Sequence, residues 1–112
     1  MPEEIRAKKF VLVDENGERS AMLSVTPDGP GLYLSDEKGI LRGVFGITST
    51  GPGLSLFDEK GVSRGGFGIM PNGSGWTLYD KKGILRAVLS VTPAGPGLVL
   101  FDGRGEILFK AP

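Results

Sequence analysis

The chain contains no cysteine and no histidine among its 112 residues. Without cysteine it can form neither a disulfide scaffold nor a thiolate metal site. Without histidine it can hold no Ser/His/Asp triad, no imidazole acid or base and no histidine metal centre. Both absences exclude common catalytic and metal-binding chemistries, so we expect no enzyme activity, no metal and no cofactor.

Net charge and long apolar runs are also lacking. Thirteen basic residues balance thirteen acidic ones, and the two signs are mixed along the chain, so an electrostatic footprint for nucleic acid is missing. No apolar run approaches the roughly 18 residues of a membrane span, and residues 1–9 lack the apolar region of a signal peptide. We expect a chain that is soluble as given and binds no nucleic acid, while its compartment stays open.

What the chain does contain is a strict internal repeat. A tetrapeptide of the form Asp-x-x-Gly recurs every 22 residues, starting at Asp14, Asp36, Asp58, Asp80 and Asp102. Self-similarity at a fixed period is a strong sign of a repeat architecture. We predict a charged lead-in or linker, residues 1–9, followed by a single repeat domain, residues 10–112. The copies of the repeat span residues 10–31, 32–53, 54–75, 76–97 and 98–112.

Each copy alternates apolar with polar residues between clusters of glycine and proline, which is typical of β-strands. If Asp36–Gly39 is a four-residue hairpin loop, Ser35 pairs with Ile40 and Leu34 with Leu41. Clusters such as Pro27–Gly31 are then turns of five or six residues. The predicted fold is all-β: five hairpins form an antiparallel meander that curls into a barrel or roll, or packs as a sheet in an oligomer. The alternative is a two-sided β-solenoid with 22 residues per coil.

In this register, one face of the predicted sheet carries only apolar and small residues. Its small position is always alanine or glycine, which indicates the close approach of a large neighbour or another backbone. The residues predicted on this face are Phe10, Leu12, Ala21, Leu23, Val25, Leu32, Leu34, Leu41, Gly43, Phe45, Ile47, Leu54, Leu56, Gly65, Phe67, Ile69, Trp76, Leu78, Leu85, Ala87, Leu89, Val91, Leu98, Leu100, Ile107 and Phe109.

The opposite face combines aromatic residues with arginines that could stack across the hairpins. It is less polar than a solvated face usually is, so another layer, a second subunit or a ligand could cover it. The candidate interaction residues there are Tyr33, Arg42, Phe57, Arg64, Tyr79, Arg86 and Phe101.

Other candidate sites have simpler explanations. Residues 14–17 resemble part of a calcium loop, but the further oxygen ligands and the closing glutamate are missing. The glycine-rich stretch 43–46 precedes no helix that could supply amides to a phosphate. We interpret the acidic residues as turn formers and the glycines as sites of close packing.

Several segments of the chain resemble a group of uncharacterised bacterial proteins. They are VLVDENGERSAMLSVTPDGPG and LSLFDEKGVSRGGFGI, with EIRAKKF before them and ILFKAP at the end. That group carries tandem Asp-x-x-Gly-x-x-Arg-Ala β-hairpin repeats, often after a hydrophobic or coiled segment. The resemblance implies such a segment, and a location outside the cytoplasm, for a full-length parent. This chain has Gly43 and Gly65 where the group usually has alanine. A weaker similarity to MORN and YD repeats concerns architecture only, and no function is implied.

Two functional hypotheses follow. In the first, the repeats form a non-catalytic structural or assembly module that associates with itself. In the second, the aromatic and arginine face binds a carbohydrate or a protein. Burial of the aromatic residues in an interface would favour the first, whereas an open aromatic groove would favour the second.

Overall fold

The computed structural model describes residues 3–112. Ten strands form one sheet in the order β1 to β10, and each strand pairs antiparallel with its neighbours in sequence. The strands are β1 (Lys9–Val13), β2 (Arg19–Thr26), β3 (Gly29–Ser35), β4 (Leu41–Thr48), β5 (Gly51–Phe57), β6 (Ser63–Met70), β7 (Gly73–Tyr79), β8 (Leu85–Thr92), β9 (Gly95–Phe101) and β10 (Ile107–Ala111).

This topology confirms the predicted all-β meander with a period of 22 residues. A solenoid would place equivalent strands of successive coils parallel to each other, and every pairing here is antiparallel. Of the predicted lead-in, residues 3–8 form neither helix nor strand, and residues 1–2 lie outside the described part. The described residues include no helix that could cross a membrane.

All five Asp-x-x-Gly turns have the same hydrogen-bond pattern. In the second copy, the Gly39 N–H donates to the Asp36 carbonyl at 3.0 Å, and the Asp36 N–H donates to the Ile40 carbonyl at 2.9 Å. The Asp36 carboxylate also accepts the N–H groups of Lys38 and Ile40, at 2.9 and 3.0 Å. Gly39 has a φ of 81°, which a residue without a Cβ adopts without strain. The aspartate and the glycine therefore close a hairpin whose loop has three residues.

The predicted hairpin register was wrong by two residues. The structure pairs Leu34 with Gly43, not with Leu41. Leu41 instead pairs with Ser35, so one residue of β4, Arg42, is left over in a β-bulge. Because a register shift of two residues keeps each side chain on the same face, the apolar face is as predicted, with three exceptions. The exceptions are Leu41, Leu85 and Ile107, which pair with residues of the opposite face.

The turns that join one hairpin to the next, such as residues 27–28, form the edge of the sheet opposite the Asp-x-x-Gly turns. We call it the proline edge, and its turns are shorter than predicted. Thr26 pairs with Gly29, so the connection between β2 and β3 contains two residues, and the following Pro30-Gly31 already belongs to a strand. The Thr26 hydroxyl accepts the Asp28 N–H at 3.3 Å and donates to the Gly29 carbonyl at 3.0 Å. The sheet therefore extends further towards this edge than the glycine and proline clusters suggested.

The sheet is open and one layer thick. The chain measures 57 × 32 × 20 Å, with a radius of gyration of 17.4 Å, against about 13 Å for a compact chain of this length. Its accessible surface is 8507 Å², whereas a compact protein of 11.8 kDa exposes about 5,900 Å². No hydrophobic residue in the described part is fully buried. Residues 3–112 alone therefore have no hydrophobic core.

The small position of the apolar face lies between leucines. A Cβ added to Gly43 would lie 3.6 Å from the Leu56 side chain and 4.0 Å from that of Leu34, both ordinary contacts. A Cβ added to Gly65 would lie 2.8 Å from the Thr77 carbonyl oxygen, which is too close. Equivalent positions in the repeat thus differ in how much space they leave.

This difference gives a matched pair of variants. Gly43→Ala should raise the free energy of unfolding by about 0.4–1 kcal/mol, because alanine restricts the unfolded chain and fits the folded one. Gly65→Ala should lower it by about 1–3 kcal/mol, because the backbone of β7 must move. Urea denaturation at one protein concentration measures both. Equal effects of the two substitutions would contradict the spacing described here.

Candidate functional site

The most extensive surface feature is the apolar face of the sheet. The charged residues within the strands are on the opposite face or at a bulge, so none projects from the apolar one. Most of its large side chains remain 36–69% exposed, from Leu100 to Val25. Phe67 and Trp76 pair across β6 and β7 with ring centroids 4.8 Å apart, but Trp76 is still half-exposed. An uncharged surface of this extent is typical of an interface.

One row of this face alternates large and small residues. It lies on the side of the Asp-x-x-Gly turns, and each member pairs with the next across neighbouring strands. We call it the leucine row. From β1 to β10 it consists of Leu12, Ala21, Leu34, Gly43, Leu56, Gly65, Leu78, Ala87, Leu100 and Phe109.

The arginines join each hairpin to the next one. Arg64 Nε donates to the Tyr79 carbonyl at 3.2 Å, and Arg64 NH1 lies 3.7 Å from the Asp58 carboxylate. Arg42 and Arg86 make the equivalent contacts, to the Phe57 and Phe101 carbonyls at 2.9 and 3.0 Å and to the aspartates of their own turns. Each arginine is the extra residue of a bulge, so the bulge directs it to the neighbouring hairpin.

These contacts hold the carboxyl groups in their charged form. For Asp58 and Asp80, the hydrogen bond from the Val62 or Ile84 N–H has the largest influence on the pKa, and it lowers the pKa below the ordinary 3.8 against the effect of desolvation. For Asp36, desolvation is the largest influence and raises the pKa. The hydrogen bonds from Ile40 and Lys38 and the contact with Arg42 outweigh it, so the pKa is lowered there too.

The opposite face becomes smoother towards the proline edge. From β2 to β9, one row on it contains only glycine and serine: Ser24, Gly31, Gly46, Gly53, Gly68, Gly75, Ser90 and Gly97. A shallow trough of about 680 Å³ follows these residues across the third and fourth copies. Tyr33 lies outside the trough, with its ring against Gly31.

The predicted interaction residues are on this face but do not form one groove. Phe57, Tyr79 and Phe101 are half-buried near the aspartate turns, and none of the seven lines the trough. Tyr33 pairs with Val44 and not with Arg42, so the expected stacking of aromatic rings on arginine across the hairpin does not form there. Binding of a partner by these seven residues stays a prediction. The guanidinium groups have a structural role in any case.

This role of the arginines was not predicted, although the sequence contains a signal for it. Arginine occupies the bulge position in the three internal copies, where a following hairpin offers a carbonyl. The first copy has Ser20 at this position and the last copy has Leu108. No further hairpin follows the last copy, so its lack of arginine agrees with a contact between copies, whereas the first copy has serine although a hairpin follows it.

Residues 3–112 contain no group of acidic side chains that could hold a metal ion. Compared with known proteins, the chain matches no family model and no curated protein. The geometry of the two faces is therefore the only basis for a function.

The aspartate contacts predict an acid-sensitive fold. Because folding lowers the pKa of Asp36, Asp58 and Asp80, their contribution to stability is constant at neutral pH and is lost as the pH falls below about 4. Asp58→Asn should reduce stability at pH 7 and flatten this acid decline, as measured by thermal unfolding across pH. Asp102→Asn is the control, because the Asp102 carboxylate accepts the equivalent backbone N–H groups, from Arg104 and Glu106, but forms no ion pair with an arginine side chain. Equal losses of stability in Asp58→Asn and Asp102→Asn at pH 7 would show that the ion pair with Arg64 does not contribute to stability.

Proposed function

We propose that the chain is a non-catalytic assembly module that associates with itself, with its apolar face covered by a second copy. The observation that carries this proposal is the uncharged, half-exposed apolar face on a sheet without a core. Apolar surface contributes about 25 cal/mol per Å² when it is removed from water. In a single layer most of this free energy is not gained, because the apolar face stays in contact with water.

The size of the face supports a stable dimer. Ten strands about 4.8 Å apart span roughly 43 Å, which with an extent of 32 Å gives a face of roughly 1,400 Å², and a stable interface needs about 800 Å² from each partner. Two sheets packed face to face, about 10 Å apart, form a sandwich with a shared core. Covering a little more than half of the apolar face would therefore be enough.

The second hypothesis, binding of a carbohydrate or another protein by the aromatic and arginine face, has less support. The arginines donate to backbone carbonyls and to aspartates of the same chain. The aromatic residues beside them are half-buried by their neighbours. The proposal for self-association also needs no partner beyond the chain itself.

Two neighbouring residues in the middle of β5 test the proposal. Leu56 is on the apolar face and Ser55 on the opposite one. Leu56→Lys should weaken association roughly a hundredfold, because two lysines would be buried near the centre of the interface. Ser55→Lys should leave the affinity unchanged. Sedimentation equilibrium over a range of concentrations measures both.

Circular dichroism should be used to check that both variants keep their strands, and Leu78→Lys replaces Leu56→Lys if the latter unfolds. A wild-type chain that stays at 11.8 kDa at all concentrations would contradict the proposal. Association that is lost only in Ser55→Lys would place the interface on the opposite face and would also contradict it.

A further inference from the structure

We infer that the two copies pack around a twofold axis that runs parallel to the strands, between β5 and β6, and that the leucine row sets this arrangement. The inference rests on the proposed self-association and names its symmetry and register. It starts from the alternation in the leucine row, where leucines in odd-numbered strands are separated by glycine or alanine in even-numbered ones.

The number of strands makes this row complementary to its own reversed copy. A twofold axis along the strands places β1 of one copy over β10 of the other, β2 over β9, and so on to β5 over β6. Because the sheet has ten strands, an odd-numbered strand always faces an even-numbered one. Leucines therefore face glycine or alanine along the row, and only the outermost pair, Leu12 and Phe109, joins two large side chains.

The central pairs show the fit. Leu56 of one copy faces Gly65 of the other, and Leu78 faces Gly43. Leu56 and Leu78 remain about half-exposed in the single chain, whereas both glycines are buried between flanking leucines. A glycine between two leucines forms a socket, and a leucine from the opposite layer can fill it. The contacts are reciprocal, as a twofold interface requires.

The row nearest the proline edge shows the same complementarity. It alternates β-branched residues with proline or serine, for example Ile47 with Pro52 and Ile69 with Ser74. Under the same axis, Ile69 of one copy faces Pro52 of the other, and Ile47 faces Ser74. A twofold axis across the strands would instead place the leucine row over this edge, and its sockets would lose their leucines.

A double-mutant experiment tests the pairing of Gly43 with Leu78. Gly43→Leu fills a socket, with space for its Cβ in the single chain, and Leu78→Ala removes the side chain that would occupy it. Each change alone should weaken dimerisation by about tenfold or more. Together they should recover at least tenfold relative to the product of the single effects, because the new leucine then faces the new alanine.

The recovery cannot arise within one chain, because Gly43 in β4 and Leu78 in β7 are separated by two strands in the sheet. Gly43→Leu combined with Leu100→Ala is the control. Leu100 faces Ala21 in this arrangement, so the two effects should multiply without recovery. Recovery in the control, or none with Leu78→Ala, would contradict the arrangement while leaving self-association itself intact.

Spin labels provide a second readout that does not depend on affinity. The chain has no cysteine, so a single cysteine labels one position. Glu59, exposed in the turn between β5 and β6, lies beside the axis, and two labels at Glu59→Cys should be less than about 25 Å apart, given layers about 10 Å apart. Glu15, exposed in the turn between β1 and β2, is four strands away from the axis.

Labels at Glu15→Cys should be about 40 Å apart, since eight strand spacings of about 4.8 Å separate them. Dipolar electron paramagnetic resonance of the two dimers measures both distances. Equal distances for the two variants would indicate an axis across the strands and overturn the inference. A sample that shows no dipolar coupling and sediments as a monomer would overturn the proposed function as well.

Discussion

A β-sheet one layer thick exposes both faces to water, so its apolar side chains lose only the surface that neighbouring strands cover. Here the large side chains of one face keep a third to two thirds of their surface exposed. The free energy available from burying them is therefore mostly unused in the single chain. The proposed dimer supplies the missing layer from the same sequence, without a second kind of partner.

The turns make such a face possible. In each copy an aspartate carboxylate holds the backbone N–H groups of the loop, and the glycine adopts a positive φ. The β-bulge that follows restores the alternation between the two faces of the sheet, and it leaves one residue without a partner on the neighbouring strand. In the internal copies this residue is arginine, which joins the next hairpin. The arginine contacts are thereby kept on the side of the aspartate turns, and no charged side chain within the strands projects from the apolar face.

Much of the fold could be predicted from the sequence, because the 22-residue period and the alternation of residues are local patterns. The register could not, since a three-residue loop without a bulge would place Arg42 on the same face as Leu32 and Leu34, and the pattern therefore favours a four-residue loop. The structure has the three-residue loop and adds a bulge, and a bulge leaves no simple mark on the pattern. The short turns at the proline edge were missed because Pro30 and Gly31 disfavour strands in general and yet belong to one here.

The candidate site was predictable only in part. The apolar face followed from alternation, with the exception of Leu41, Leu85 and Ile107, which the bulges move to the other side. The role of the arginines depends on a neighbouring copy. The prediction considered each hairpin separately and therefore paired the arginines with aromatic rings. The sheet stays open, with no core in the described residues. This is a property of the complete array, and no single repeat shows it.

The dependence of thermal unfolding on protein concentration tests the central claim most directly. If a second copy covers the apolar face, folding and association are coupled, and Tm should rise steadily as the concentration is increased. Dilution below the dimer's dissociation constant should expose Trp76 and shift its fluorescence to longer wavelength. A Tm and a fluorescence spectrum that do not change over a thousandfold range of concentration would contradict the account.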